Sequence, residues 1–289
     1  MSDAIAPFNR NVVRAHRDRA AGTIENYDFL YRATAERLCD RLSDITRVFP
    51  TALDLGCHGG EIGQCVNGRG GIQRLYQCDL SAGMAARAAG ANPRSAPFTR
   101  QADEEALPFG SESLDLVLSN LSLHWANDLP GAFIQIRQAL RPDGLFLATM
   151  LGGETLKELR QAMAEAEIAE EKGVSPRVSP FADVRDAGGL LQRTGFQLPV
   201  VDSETMTVSY PDPFKLMKDL RGMGETNAVN DRRPGFTRRR TMMRMAERYV
   251  ALFGDSNGRV PATFQVLTLT AWAPGAGQAK PSRSRPKKS

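Results

Sequence analysis

Cysteine is scarce in this sequence of 289 residues, and no long apolar run occurs in it. The four cysteines include no Cys-x-x-Cys pair, which argues against a zinc ribbon and a thioredoxin-like motif. A secreted disulfide framework needs more cysteines in a shorter chain, so we expect reduced thiols. No apolar run approaches the roughly 20 residues that span a bilayer, and residues 1–20 lack the apolar core of a secretory signal. These absences favour a soluble cytoplasmic protein.

A strong excess of one charge is also lacking outside the C-terminal tail. The formal net charge is +4, and basic residues near the C-terminus supply much of that excess. They are Lys280, Arg283, Arg285, Lys287 and Lys288. The remaining chain is therefore close to neutral, and we expect no nucleic-acid groove. Residues 274–289 are rich in Gly, Pro, Ser and Lys, which predicts a basic disordered tail.

Short apolar runs alternate with helix-like segments through the middle of the chain. The predicted strands are residues 51–55, 74–78, 97–101, 114–119, 145–151, 197–207 and 262–272. Repeated strand–helix–strand units indicate an α/β fold with a doubly wound, mostly parallel sheet of seven strands. Residues 141–144 are predicted to form a turn before the fifth strand.

The same patterns divide the chain into regions. Apolar residues at helical spacing over residues 11–49 predict an N-terminal helical region, residues 1–50. Residues 51–273 form the predicted main domain, and a helical insertion at about residues 210–255 precedes its last strand.

A glycine-rich turn follows the first predicted strand, with the sequence Leu-Asp-Leu-Gly-Cys-His-Gly-Gly at residues 53–60. Glycines at such a turn let the backbone bend tightly and approach a ligand closely. Asp79 ends the next strand, and an acid at that place hydrogen-bonds ribose hydroxyls. These two elements predict a ligand that contains a nucleoside, without separating a dinucleotide from S-adenosylmethionine.

Three later segments separate these two ligands. They are Ala-Asp-Glu-Glu-Ala-Leu-Pro-Phe at 102–109, Ser-Leu-Asp-Leu-Val at 113–117 and Arg-Pro-Asp-Gly at 141–144. Together with the glycine turn, they resemble the type 11 branch of the class I methyltransferases over residues 51–151. The resemblance implies S-adenosylmethionine as the cofactor. It also implies that Asp54 faces the methionine part, that Asp79 binds the ribose and that Asp103 contacts the adenine amine.

The resemblance extends to the neighbours of these acids. Gly56 and Gly60 are expected to line the loop around the cofactor. Leu80, Glu104 and Asn120 complete the predicted cofactor site. His58 stands where this family usually has glycine, and its side chain would either crowd the cofactor or add a donor to it.

A closer resemblance covers nearly the whole chain except the tail. It rests on residues 8–10, 122–130, 152–156, 179–181, 220–227 and 260–265. These segments are similar to the mitochondrial complex I assembly factor 5 family and its bacterial relatives. That family is associated with assembly of the respiratory NADH dehydrogenase, and its mitochondrial members with hydroxylation of an arginine in an iron–sulfur subunit. The resemblance implies a protein substrate and a place at the inner membrane only through that partner.

His124 and Trp125 follow the fourth predicted strand, near the point where a substrate would meet the cofactor. Two interpretations are open. The pair acts as a general base or contacts the substrate, or it is only a packed His–Trp pair at a strand end. A metal site of the kind that activates oxygen needs two histidines and a carboxylate. His58 and His124 with Asp54 or Asp103 are the candidates, but no ligand spacing supports them, and we predict no metal.

Two further segments carry candidate roles. Residues 222–227, which include Glu225, form either a lid beside the substrate or an ordinary turn between helices. Arginines at 232, 233 and 238–240 would either dock an acidic partner or form a solvated face.

Three functional hypotheses follow. The first is a cofactor-binding assembly factor of complex I that hydroxylates or methylates a protein arginine. The second is a methyltransferase that acts on a small or carrier-bound carboxylate, such as malonyl-carrier protein. The third is a chaperone without catalytic activity. The resemblance over the whole chain favours the first hypothesis.

Overall fold

The computed structural model describes residues 6–66, 68–181, 183–233 and 235–275. Within these ranges, seven strands form one sheet in the order β3-β2-β1-β4-β5-β7-β6. They are β1 (Thr51–Leu55), β2 (Arg74–Asp79), β3 (Thr99–Gln101), β4 (Leu114–Asn120), β5 (Leu140–Leu151), β6 (Gln197–Tyr210) and β7 (Val260–Trp272). Strands β1 to β5 are parallel, and β7 pairs antiparallel with β5 and β6. The predicted α/β fold with a mostly parallel sheet is confirmed.

Helices cover both faces of this sheet. They are α1 (Arg10–Ala21), α2 (Phe29–Ser43), α3 (Glu61–Cys65), α4 (Ala82–Ala91), α5 (Leu129–Ala139), α6 (Lys157–Glu171), α7 (Val184–Arg193), α8 (Pro213–Met223) and α9 (Arg239–Phe253). Successive β4 side chains point to opposite faces. Leu116 and Leu118 pack with Leu38 of α2, whereas Val117 packs with Ile136 of α5. The main core therefore lies in two layers, one on each side of the sheet.

A third apolar cluster lies beyond the sheet's C-terminal edge. It joins Leu30 of α2, Leu159 of α6, Leu216 of α8, Met245 of α9 and Phe264 of β7. The predicted insertion contributes α8 and α9 to this cluster, and the described residues between these two helices, 224–233 and 235–238, are not helical. Among the described residues, no helix is both long and apolar enough to cross a membrane.

The predicted N-terminal helical region contains two helices, α1 and α2, separated by a 3-10 turn at Ile24–Asn26, and apolar residues on both sides of the turn face one core. One local prediction was wrong. The predicted turn at residues 141–144 lies inside β5, which starts at Leu140. The irregular backbone of these residues is seen in two features. The pairing of β5 with β4 shifts register between Leu114 and Leu116, and Asp143 has a positive φ. The predicted disordered tail lies outside the described residues after position 275.

Candidate active site

The predicted cofactor residues meet at the C-terminal ends of β1, β2 and β4. The strand order reverses direction between β1 and β4, so the ends of these strands form the crevice in which open α/β sheets bind ligands. We call the pocket formed by Asp54, Asp79, Glu104 and Asn120 at these ends the cradle. The four side chains are all buried.

Asp54 is the deepest carboxyl group of the cradle. Gln77 Nε2 donates a hydrogen bond to one of its oxygens at 3.0 Å, and the other oxygen has no hydrogen-bond partner. Burial raises the pKa of Asp54 to about 7; the Gln77 hydrogen bond lowers it less, and the charge of Asp79 adds to the rise. Asp54 is therefore partly protonated near neutral pH.

Asp79 is fully buried at the end of β2. The backbone N–H groups of Ser81 and His58 donate to its carboxylate at 2.8 and 3.2 Å. Ser81 also caps α4 as predicted, since its hydroxyl accepts a hydrogen bond from the Met84 N–H. The local chain thus fixes this carboxylate toward the cradle.

Arg17 of α1 also reaches into the cradle, and the sequence did not predict it as a site residue. Its side chain is about 1% exposed and its Nη1 lies 2.9 Å from Glu104 and 3.4 Å from Asp79. Its Nη2 donates to Ser122 Oγ at 2.9 Å. Burial by itself would lower the pKa of Arg17, but the carboxylates of Asp79 and Glu104 raise it overall. Arg17 is therefore a permanent cation inside the cradle.

Arg10 lies about two helical turns before Arg17 on α1 and binds the remaining acids. Its Nη2 contacts the carboxylates of both Asp103 and Glu104, and its Nη1 donates to the backbone oxygen of Trp125 at 3.2 Å. Burial would raise the pKa of Glu104, yet the nearby charges of Arg17 and Arg10 lower it overall. The acidic segment after β3 is thus neutralised by arginines of α1.

Packing within the protein itself requires glycine at two positions of the predicted loop. Gly56 has a φ of 73°, and a Cβ atom there would overlap the Ser122 hydroxyl. Gly60 has a φ of 93°, and a Cβ atom there would lie 3.0 Å from Ala88 Cα of α4. Both positions need glycine because of the backbone conformation and because a neighbour fills the space.

His58 adopts a φ of 44°, a conformation that favours glycine. Its imidazole is buried and stacks on Tyr31 of α2, with ring centroids 4.2 Å apart. Its Nε2 lies 3.0 Å from the backbone oxygen of Asn120. Burial first, and then the charge of Arg17, lower the pKa of His58. A neutral ring therefore lies beside the cradle wall.

Asn120 and Leu80 complete the predicted set. The Asn120 amide donates to the backbone oxygen of Tyr31 and accepts from Thr149 Oγ1, each at 2.8 Å. Leu80 is buried and packs with Phe8 and Trp125. Asn120 is therefore held by the protein on both sides of its amide.

The donor set of the cradle fits an adenosyl group, since a buried acid at the end of β2 suits ribose hydroxyls. As the side chains stand, the space does not fit it, because Arg17 contacts Asp79 and Glu104, and Ser122 contacts Glu104 and Arg17. The His58 ring fills the space beside the backbone of Asn120. Asp79, the predicted ribose ligand, is 0% exposed, so its carboxylate is closed to a ligand while Arg17 stays in place.

Glu225 is a second centre of the site, and it follows α8 in the segment predicted to be a lid or a turn. Its carboxylate accepts hydrogen bonds from Tyr31 Oη at 2.8 Å and Trp125 Nε1 at 2.9 Å, and it lies 3.1 Å from His124 Nε2. Burial would raise the pKa of Glu225, but the interactions with His124 and the charge of Arg17 lower it to about 2. Glu225 is therefore ionised although it is buried.

His124 and Trp125, the two predicted catalytic residues, hold this carboxylate in place. Both side chains are buried. The Trp125 ring packs edge-on against Phe8 at 5.2 Å, and the His124 ring packs edge-on against Phe181 at 5.7 Å. The structure shows a packed pair whose ring nitrogens both face the Glu225 carboxylate, and a catalytic role of the pair stays a prediction.

An apolar cavity of about 230 Å³ adjoins Glu225. Its apolar wall includes Leu30, Leu151, Leu159, Met163, Met217 and Phe264. Glu225 and Arg177 are its charged residues, and Arg177 is already paired with Glu167 through its Nε at 2.6 Å. The cavity thus combines a largely apolar wall with one carboxylate and one arginine that is already paired.

No cluster of three or more His, Cys, Asp or Glu residues in the described part of the chain is arranged to hold a metal ion. The candidate ligands have other partners, since His58 Nε2 faces backbone oxygens and His124 Nε2 faces Glu225. The predicted arginine cluster is partly paired, with Arg233 on Glu171 and Arg240 on Glu170.

Comparisons with known proteins agree with this fold. A methyltransferase domain family matches residues 53–148. The chain is 41% identical over 281 residues to the arginine-hydroxylase NDUFAF5, mitochondrial, of Danio rerio, covering 96% of this chain and 85% of that protein. It is 36% identical over 282 residues to a malonyl-[acyl-carrier protein] O-methyltransferase of Methylovorus sp. (strain MP688), covering 95% and 92%.

A solved structure gives the same fold. Phosphoethanolamine N-methyltransferase 2 of Haemonchus contortus, in complex with S-adenosyl-L-methionine, matches with a TM-score of 0.55 at 19% identity, over 91% of this chain and 60% of that chain. Strand order, domain family and whole-chain identity lead to one assignment. The chain is an enzyme of the class I S-adenosylmethionine-dependent methyltransferase superfamily and belongs to the family that contains the NDUFAF5 proteins.

Proposed function

We propose that this enzyme modifies an arginine side chain of a protein substrate during assembly of respiratory complex I, with S-adenosylmethionine as its cofactor. The proposal depends mainly on one observation, the ionised Glu225 at the wall of the apolar cavity. The relatives named arginine hydroxylase support this choice, since they match almost the whole chain. The proposed substrate is an iron–sulfur subunit, and the proposed location is the cytoplasm beside that partner.

An arginine side chain suits this cavity in shape and charge. Its aliphatic stem would lie along Leu159, Met163 and Met217, and its guanidinium would face Glu225. Guanidinium and carboxylate form strong, charge-assisted hydrogen bonds with matching geometry. Tyr31, Trp125 and His124 account for three of the about four acceptor sites of the Glu225 carboxylate, which leaves about one for a guanidinium N–H.

A malonyl carboxylate suits the cavity less well, although the malonyl-carrier relatives make it the second candidate. Glu225 would repel a second carboxylate in a space of low dielectric. Arg177 does not offset this repulsion because Glu167 already neutralises it. The charge of the cavity therefore favours a cationic substrate over an anionic one.

The chain's own residues align the substrate. For methylation, a bound cofactor would supply an electrophilic methyl group and leave as S-adenosylhomocysteine, whereas hydroxylation would need molecular oxygen and a two-electron reductant in addition. Tyr31 keeps its proton because burial and the adjacent Glu225 raise its pKa, so it donates to Glu225 at any neutral pH. The Trp125 indole donates to the same oxygen that faces His124. These contacts fix the carboxylate before a substrate arrives.

Mass spectrometry of complex I subunits tests the proposal. Subunits from a deletion strain should lack one oxygen or one methyl group on a single arginine, and the intact gene should restore it. Glu225→Gln should lower the modified fraction by about 10- to 100-fold, because a hydrogen bond to a charged group contributes roughly 1.5–3 kcal/mol. Glu247→Gln, an exposed α9 position, is the matched control.

Two results would contradict the proposal. Subunit masses that are identical with and without the gene, together with loss of complex I, would favour a chaperone. Full modification by the Glu225→Gln variant would remove Glu225 from substrate binding.

A further inference from the structure

We infer that Arg17 and His58 occupy the cofactor site themselves, so that S-adenosylmethionine enters only when these two side chains move out. The inference rests on the proposed cofactor, but it does not depend on which substrate the enzyme modifies. Three observations support it, and they concern the acids, the glycine turn and His58.

The first observation concerns the acids. A nucleoside bound at this edge of the sheet would place its ribose hydroxyls on Asp79. The side of Asp79 that faces the cradle is taken by Arg17 Nη1, which lies 3.4 Å from both carboxylate oxygens. The backbone N–H groups of Ser81 and His58 contact the same carboxylate. A ribose can therefore replace Arg17 on Asp79 but cannot bind beside it.

The second observation concerns the glycine turn. The space beside Gly56, where a ligand could approach the backbone, contains the Ser122 side chain. The Ser122 hydroxyl donates to Glu104 at 2.6 Å and accepts from Arg17 Nη2. Arg17 thus holds in place the side chain that closes the turn. When Arg17 leaves, Ser122 loses one of the two partners that fix it.

The third observation concerns His58, which stands in the turn where a glycine is usual in the type 11 branch. Its ring fills the space between Tyr31 and the backbone oxygens of Asn120 and Leu121. Its positive φ makes glycine the less strained residue at this position. The backbone therefore tolerates a replacement that empties this part of the cradle.

The proposed exchange is a competition between cofactor and side chains. Arg17 satisfies two buried carboxylates, and a cofactor must provide donors of its own to replace it. The apparent affinity for a ligand falls by the fraction of molecules whose site is open. Variants that remove either occupant should accordingly bind cofactor more tightly.

Isothermal titration calorimetry of the full chain with S-adenosylhomocysteine tests this inference. Arg17→Met and His58→Gly should each bind at least tenfold more tightly than the parent. Arg14→Met, an exposed position one turn earlier on α1, is the matched control and should bind as the parent does. Thermal unfolding of each protein is recorded first, and if Arg17→Met does not fold, His58→Gly against Arg14→Met decides.

Three results would overturn the inference. Weaker binding by Arg17→Met and His58→Gly would mean that these side chains contact the cofactor. Affinities equal to that of Arg14→Met would mean that they do not limit its entry. An absence of binding in every protein would mean that the emptied cradle is not a cofactor site. The arginine modification is measured separately by mass, so its failure is distinguishable from each of these results.

Discussion

At the scale of single residues, the buried carboxyl group of Asp54 makes stability depend on pH. Its folded-state pKa of about 7 lies above the ordinary value of 3.8. Between these two values, the folded chain retains a proton that the unfolded chain has released. The contribution of Asp54 to the free energy of unfolding is therefore fully present below the lower value. It falls as the pH rises toward the higher value, by up to about 1.4 kcal/mol per pH unit. Glu61, whose pKa burial raises to about 8, adds to the same slope.

We expect Asp54→Asn to reduce this slope, because asparagine keeps the acceptor for Gln77 without a titrating group. Urea denaturation at a pH of about 5 and again at about 7 measures it. Asp44→Asn, an exposed position after α2, should leave the slope of the parent unchanged. Equal slopes for Asp54→Asn and the parent would contradict the expectation.

The sequence reveals the acids of the cradle but not the cations. Asp54 and Asp79 are recognisable because they lie at the ends of two successive predicted strands, and Glu104 because it belongs to the segment at 102–109. Arg17 looks like any charged residue of a helix, and its contacts with Asp79 and Glu104 span 62 and 87 positions. Glu225 was missed as a centre for the same reason. No local pattern encodes such long-range pairs.

At the scale of elements, α1 covers the cradle and brings both Arg10 and Arg17 to it. Its N-cap is Asn9, whose side chain accepts a hydrogen bond from the Val12 N–H at 3.2 Å. We expect Asn9→Ala to destabilise the protein by about 1 kcal/mol, since it removes the side-chain acceptor of this N–H, which then keeps only the Asn9 backbone oxygen at 2.9 Å. Urea denaturation measures the loss, and Asn11→Ala on the exposed face of α1 should change stability by less than about 0.5 kcal/mol. Equal effects of the two substitutions would exclude a capping role.

Strands were easier to predict than helix ends. Strand β1 has the predicted bounds because a proline precedes it and glycine follows it. The break between α1 and α2 escaped prediction because Ile24 faces the same core as Leu30, so the apolar spacing continues across it. Tertiary packing, which local spacing does not report, decides where these helices end.

At the scale of the whole molecule, side chains of α2, α6, α8 and β7 together line the apolar cavity, which is the proposed substrate chamber. Met217→Trp should fill part of the chamber, and we expect the modified arginine fraction to fall by about tenfold or more. Overpacking costs about 1–3 kcal/mol, so stability is measured alongside. Met243→Trp, a half-exposed position of α9 outside the cavity, should keep the parent's modified fraction. Unchanged modification by a folded Met217→Trp variant would separate the cavity from the substrate.

The N-terminal segment is clasped to the segment after Glu225. Phe8 forms a β-bridge with Val229, and the Asn9 N–H donates to the Ala228 oxygen at 2.8 Å. A ribosome delivers β1 to β5 long before residues 228 and 229, so the sheet's parallel half is synthesised while this clasp has no second strand. The contact that fixes the start of α1 therefore forms only when translation is nearly finished, later than the contacts of Arg10 and Arg17 can form.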